Sequence, residues 1–179
     1  KINTVLASNV AEVRTGSLAN TTDGVAPVTG DTTFDTINGA GVVVGDTIDI
    51  QADTHSGERV TGTFTITDPA TQTIDDLLSE IRSVFGGSVS TSVDSNGQIQ
   101  VTDSEIGNSS LTLVLIERNE GGGTLDFGQF DTTEEGRFAM SITAENEGGA
   151  IKLTSDAYGS DAGFATAQTV DELGIADNS

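Results

Sequence analysis

One stretch of this sequence changes its hydrophobic period, and that switch limits the folds open to the whole chain. In TIDDLLSEIRSVFGG, residues 73–87, Ile74, Leu77, Leu78, Ile81, Val84 and Phe85 fall at i, i+3, i+4, i+7, i+10 and i+11, the stripe of an amphipathic helix. Thr73 precedes the stripe with a hydroxyl able to accept from unpaired amides, and Asp75 and Asp76 lie at the positive end of the helix dipole. Gly86 and Gly87 can take the left-handed turn that closes it. Around this stretch the apolar residues recur mostly at every second position, as on half-buried strands. The pattern predicts an α+β chain, mainly β, of antiparallel sheets and hairpins with one amphipathic helix over about residues 74–85. Burying each apolar side chain of the stripe stabilises by about 1.5–3 kcal/mol, so the helix is the expected fastener of the sheet it covers.

The strands read off in pairs. GDTIDIQAD and ERVTGTFTIT flank THSG, with Ile48 and Ile50 on one face of the first and Val60, Phe64 and Ile66 on one face of the second, which predicts a hairpin. SVSTSVDSNGQIQVTD predicts another, turning at Ser95-Asn96-Gly97. LTLVLIE places Leu111, Leu113 and Leu115 on one face and Val114 and Ile116 on the other. Beyond the loose NEGGGTLDFGQFDTTEEG, the alternation resumes in RFAMSITAE (Phe138, Met140, Ile142), in AIKLTS (Ile151, Leu153) and in a third short strand, GFATAQ. Near the start, INTVLASNVAEV reads as a strand or an irregular edge segment, and ANTTDGVAPVTGDT (Ala19 to Thr32) as a connection.

Composition restricts the chemistry. With 28 acidic against 7 basic side chains the net charge is −21, a field that repels phosphate backbones and anionic lipid, so neither nucleic acid nor a membrane is an expected partner. No apolar run reaches the roughly 18 residues of a membrane span. The acidity itself reads as a solubility device in the first place and as divalent-cation binding in the second. The chain opens at Lys1 without a methionine, as an excised fragment would.

Catalytic ingredients are scarce. Cys is absent and His55 is the one histidine, so thiolate chemistry is excluded and a Ser/His/Asp relay lacks support; no catalytic residue, cofactor or metal is expected. His55 falls at a hairpin tip and reads as a solvated turn residue. The carboxylate pairs Asp75/Asp76 and Asp171/Glu172 look like helix starts, and Glu134/Glu135 like a solvated loop, rather than glycosidase acids. DSNG at 94–97 begins like a calcium loop but lacks its later glycine and bidentate glutamate, so a turn accounts for it better.

The chain also repeats itself. GQIQVTDSEIGNSSL (97–111) and GAIKLTSDAYGSDAGF (149–164) align at an offset of 52, matching Gly97 with Gly149, Ile99 with Ile151, Val101 with Leu153, Thr102 with Thr154 and Gly107 with Gly159. The reading is a reused module: an outward strand, a Thr/Ser-Gly turn and a return strand.

Together, DTIDIQ, the helix with its following hairpin, GRFAMSI and GAIKLTSDAYGSDAGF resemble the surface domains of bacterial flagellar axial proteins, most closely the filament cap (hook-associated protein 2) family, over most of residues 31–175. The module is shared with flagellins and hook proteins. The resemblance implies a non-enzymatic structural role outside the cell at the filament tip, where a ring of copies retains flagellin and promotes its assembly. Flagellin subunits and other copies of the chain are then the implied partners, and Leu111, Phe127, Phe130 and Tyr158 the candidate subunit-interface positions. Cap proteins carry coiled-coil legs; no long heptad segment lies at either end of this chain, so the legs are not in it. An outer flagellin domain and a glycan- or mucin-binding adhesin are the alternatives, with a hydrolase behind both.

Two divisions of the chain are open. Residues 31–131 can form the helix-containing domain, inserted on a two-stranded neck (Thr15 to Thr32 and Gly121 to Gly136) into a second β-rich domain of 1–30 plus 132–179. A sequential split near residue 130 is the simpler arrangement.

Overall fold

The computed structural model describes residues 8–139 and 142–155. The fold is mainly β with antiparallel sheets, and among the described residues it has one α-helix. Contacts divide the chain into two units, residues 10–137 and residues 1–9 with 138–179. The larger unit is thus inserted in the sequence of the smaller.

In the larger unit, β1 (Ala11–Gly16), β2 (Thr47–Asp53), β3 (Arg59–Thr65), α1 (Ile74–Val84), β4 (Val89–Val93), β5 (Ile99–Ile106), β6 (Thr112–Arg118) and β7 (Phe130–Glu134) follow in order. They make a sheet ordered β4-β5-β1-β7 and a second ordered β3-β2-β6. The expected hairpins form: β2 and β3 pair from Thr47↔Thr65 to Asp53↔Arg59, and β4 and β5 from Val89↔Asp103 to Val93↔Ile99. Asp94 holds the second turn, accepting from the Asn96 and Gln98 amides at 2.8 and 2.9 Å, while Gly97 takes φ +82°. A side chain at Gly97 would also strike the Asn20 carbonyl, so the close approach there requires glycine.

Alternate residues of both sheets meet in one core. Ile48, Ile50, Phe64, Leu113 and Leu115 from the second sheet join Val89, Ile99, Val101 and Phe130 from the first, all buried. The α1 stripe enters the same core, with Ile74, Leu77, Leu78, Ile81 and Phe85 buried and Val84 half-buried against it. Thr73 and Asp76 make a capping box, in which the Thr73 side chain faces the Asp76 amide and the Asp76 carboxylate accepts from the Thr73 amide at 2.8 Å and its hydroxyl at 3.3 Å. At the other end the Gly87 amide bonds the Arg82 carbonyl and the Gly86 amide the Ser83 carbonyl, both at 2.9 Å, the paired bonds of a Schellman turn. The helix packs on β3 and β4, one edge strand of each sheet. Gly62 on β3 makes room, since a side chain there would strike Val84.

Three sequence readings change. Of the opening segment read as a strand or an irregular edge, residues 1–7 lie outside the described residues, and Ala11 to Val13 belong to β1, an interior strand between β5 and β7 with bulges between Ala11 and Val13 and between Val13 and Arg14. Neither 15–32 nor 121–136 forms a neck, because Val28, Leu125, Phe127 and Phe130 from those segments are buried in the core and β7 pairs with β1. The boundary falls instead where Val10 and Arg137 exchange backbone hydrogen bonds of 2.8 and 2.9 Å. Finally, the first copy of the repeat does not return beside itself. After β5 the chain crosses to the other sheet, where β6 pairs with β2 from Thr47↔Arg118 to Asp53↔Thr112. The first strand of each copy closes a hairpin with the strand before it, β5 with β4 and residues 150–155 with residues 142–147, and the rest of the second copy lies outside the described residues.

In the smaller unit, β8 (Ile142–Glu147) and β9 (Ala150–Ser155) form an antiparallel hairpin, turned by Gly148 and Gly149 at φ +64° and +94°. Ahead of it Phe138 is exposed. Met140, GFATAQ and Tyr158 lie outside the described residues.

Leu77 is fully buried on α1, the helix that packs on an edge strand of each sheet. Leu77→Ala is expected to cost about 2–5 kcal/mol in urea unfolding followed by circular dichroism, whereas Thr61→Ala on the exposed face of β3 should stay within about 0.5 kcal/mol.

Candidate functional site

One polar cluster is built into the core's edge. Asp103 continues the inward phase of Ile99 and Val101 on β5 and is only 4 % exposed, so its carboxylate must be satisfied by neighbours. His55, on the turn between β2 and β3, places Nδ1 2.7 Å from Asp103 Oδ2. Ser109, on the link from β5 to β6, donates its hydroxyl to the same Oδ2 at 2.6 Å, and the Glu105 amide donates to Oδ1 at 3.0 Å. The Ser110 amide bonds the His55 carbonyl at 3.0 Å, so backbone as well as side chain ties the turn to the link. His55 is therefore no solvated turn residue: its side chain is 22 % exposed and committed to a buried acid.

The charges reinforce one another. The hydrogen bond to Asp103 raises the His55 pKa above its ordinary 6.5; burial works against this, and the negative charges of Asp103, Glu105 and Glu12 add to it. Glu105 Oε2 stands 3.9 Å from His55 Nε2. Burial alone would push Asp103 up, but the Ser109 hydroxyl, the Glu105 amide and the His55 ring outweigh it and hold the carboxyl below its usual range. Glu12, itself buried, is paired with Arg14 Nε at 2.7 Å.

This geometry is a clasp and not a nucleophile relay. A relay needs imidazole between hydroxyl and carboxylate, whereas here the carboxylate stands between Ser109 and His55 and takes both hydrogen bonds on one oxygen. The other carboxylate pairs do not converge either. Asp75 and Asp76 are in the first turn of α1, Glu134 ends β7 in an ion pair with Arg137 at 2.7 Å, and Asp171/Glu172 lie outside the described residues. Among the described residues no three His, Asp or Glu side chains gather to hold a metal ion, and no helix is long and apolar enough to cross a membrane.

The candidate interface residues sit elsewhere. Leu111 is 0 %, Phe127 1 % and Phe130 8 % exposed, so their side chains face the core and not another subunit; Tyr158 is outside the described residues. The strands they flank are nonetheless open. β6 and β7 are the edges of their sheets opposite the edges that α1 covers, and no backbone hydrogen bond joins them. Between them runs a groove of about 520 Å³, with Thr112 to Leu115 on one wall and Gly128 to Asp131 on the other, Arg14 and Asp126 completing it. At the far end of β6 the Phe127 amide bonds Glu117 Oε1 at 3.2 Å; burial raises the pKa of that acid, with nearby Asp126 adding to the effect.

The buried acid was legible in the alternation of Ile99, Val101 and Asp103, which puts a carboxylate on a core face where it requires a partner. That the partner is the lone histidine, 48 residues away, was not. Compared with known proteins, the chain matches no family model, no curated protein and no solved structure.

Because folding favours protonated His55, its contribution is complete below pH 6.5 and is lost as pH rises through the higher folded value. The urea midpoint is expected to fall between about pH 6 and pH 8, and His55→Gln to flatten that part of the profile. A wild-type midpoint constant across the window contradicts the clasp. Asp103→Asn, which removes the charge that both partners address, is expected to cost about 1–3 kcal/mol at pH 6.

Proposed function

We propose that the chain is a structural, extracellular component of the bacterial flagellum, a part of the filament cap that retains flagellin at the growing tip. Its resemblance to flagellar axial proteins supplies the system. The observation that carries the reading is the insertion: residues 10–137 leave and rejoin the rest of the sequence at one bridged pair, Val10 and Arg137. A domain inserted in this way, with a filled core and a His–Asp–Ser cluster arranged as a clasp, suits display and spacing.

In this role the chain makes weak, repeatable contacts. A ring of such domains keeps exported flagellin close to the tip long enough to fold and insert, and then releases it. The net charge of −21 limits non-specific association of the domains with one another.

Antibody raised against this chain, located by immunogold electron microscopy on the source bacterium, tests the placement. Label confined to filament tips is the expected result. Label along the whole filament assigns the chain to an outer flagellin domain, and label on the cell body alone overturns the flagellar reading in favour of an adhesin.

A further inference from the structure

The sheet edges of the larger unit are protected unequally. β3 and β4 are covered by α1. β7 carries Asp131 and Glu134, and charges along an edge discourage pairing with a foreign strand. β6 has neither device over Thr112-Leu113-Val114-Leu115-Ile116, five uncharged residues without Pro or Gly, four of them apolar. Such a segment at a free edge is a template for another strand, and an unguarded one invites aggregation unless something covers it.

The groove identifies which part is open. Toward Arg118 the segment carrying Phe127 is tied to the strand by the Phe127 amide, which donates to the Glu117 side chain. Over Thr112 to Leu115 the edge instead faces the 520 Å³ groove. At about 3.3 Å per residue this is roughly 13 Å of edge, room for four or five residues of extended chain. Val114, half exposed, stands beside the incoming strand, while Leu113 and Leu115 remain in the core.

We infer that the edge of β6 over Thr112–Leu115 accepts an extended segment of a different protein, bound by strand addition and bearing a basic residue among apolar ones. Charge selects the occupant. The groove's basic and acidic side chains are Arg14, Asp126 and Asp131, and Arg14 is already paired with Glu12. The two aspartates are exposed and have no ion-pair partner among the described residues, so they favour a Lys or Arg on the arriving strand. A second copy of this chain is disfavoured, since each copy carries −21. Main-chain hydrogen bonds supply affinity, as in other strand-addition sites, and here the acidic wall supplies selectivity. The inference stands on β6 and its groove and does not depend on where the protein resides.

The test is a titration of the full ¹⁵N-labelled chain with the capped peptide TVKVTV, followed by amide chemical shifts. The expected result is saturable shifts at Thr112–Leu115 and Gly128–Asp131, with the acidic probe TVEVTV binding about tenfold more weakly. Asp126→Lys with Asp131→Lys, both exposed positions, should reverse that preference while circular dichroism stays unchanged. An absence of shifts at β6 at millimolar peptide overturns the inference, as does equal binding of the two probes. Concentration-dependent shifts at the same amides without peptide overturn it in favour of self-pairing. The gold-labelling result is independent of all of these, so the two ideas fail separately.

Discussion

Burial of the apolar face of α1 across two sheet edges is the contact on which the rest of the larger unit depends. Two sheets facing one core leave two seams, and each must be filled or left open to water. The helix fills one, laying Ile74, Leu77, Leu78 and Ile81 into the core between β3 and β4. Gly62 permits the approach, and the carboxylate cap and Schellman turn stop the helix where the stripe stops. With that side closed, the other two edges, β6 and β7, come near each other without pairing. The groove is the remainder of an arrangement that has one helix for two seams.

Polar chemistry collects at the end of the unit where the chain enters and leaves. The Val10–Arg137 bridge is joined there by the Gly107 amide, which donates to the Val10 carbonyl at 3.2 Å. Gly136 lies so close to the Gly107 carbonyl that any side chain would collide with it. Asp103, four residues before Gly107, holds the β2–β3 turn through His55 and the link to β6 through Ser109. One buried carboxylate thus joins three separate segments. A lone imidazole with a raised pKa makes that junction respond to pH near neutrality, which no other side chain of the unit does by its ordinary chemistry.

These features suit the proposed scaffold role and leave one unguarded place. Strong negative charge keeps such domains apart, and the same charge is distributed along β7 but missing from the outer half of β6. Weak attachment of an extended, basic strand at that edge is compatible with holding a partner briefly and releasing it, since few main-chain bonds are involved. The proposed filament-tip role and the proposed strand acceptance share this kinetic requirement.

Local pattern decided the parts. The single switch to a 3.6-residue period located α1 to within a residue, Gly86 and Gly87 marked its end, and alternation identified the β2–β3 and β4–β5 hairpins and the inward leucines of β6. Those features rest on contacts between near neighbours in sequence, which leave their period in the chain. Tertiary structure alone decided the partners. Residues 11–16 became an interior strand, Phe127 and Phe130 turned inward, and the chain crossed sheets after Gly107, because each outcome depends on pairing between residues 59 or more apart in sequence or on which side of a strand another element fills. No period records such a choice, and so both the His55–Asp103 clasp and the open edge of β6 became visible only once the sheets were assembled.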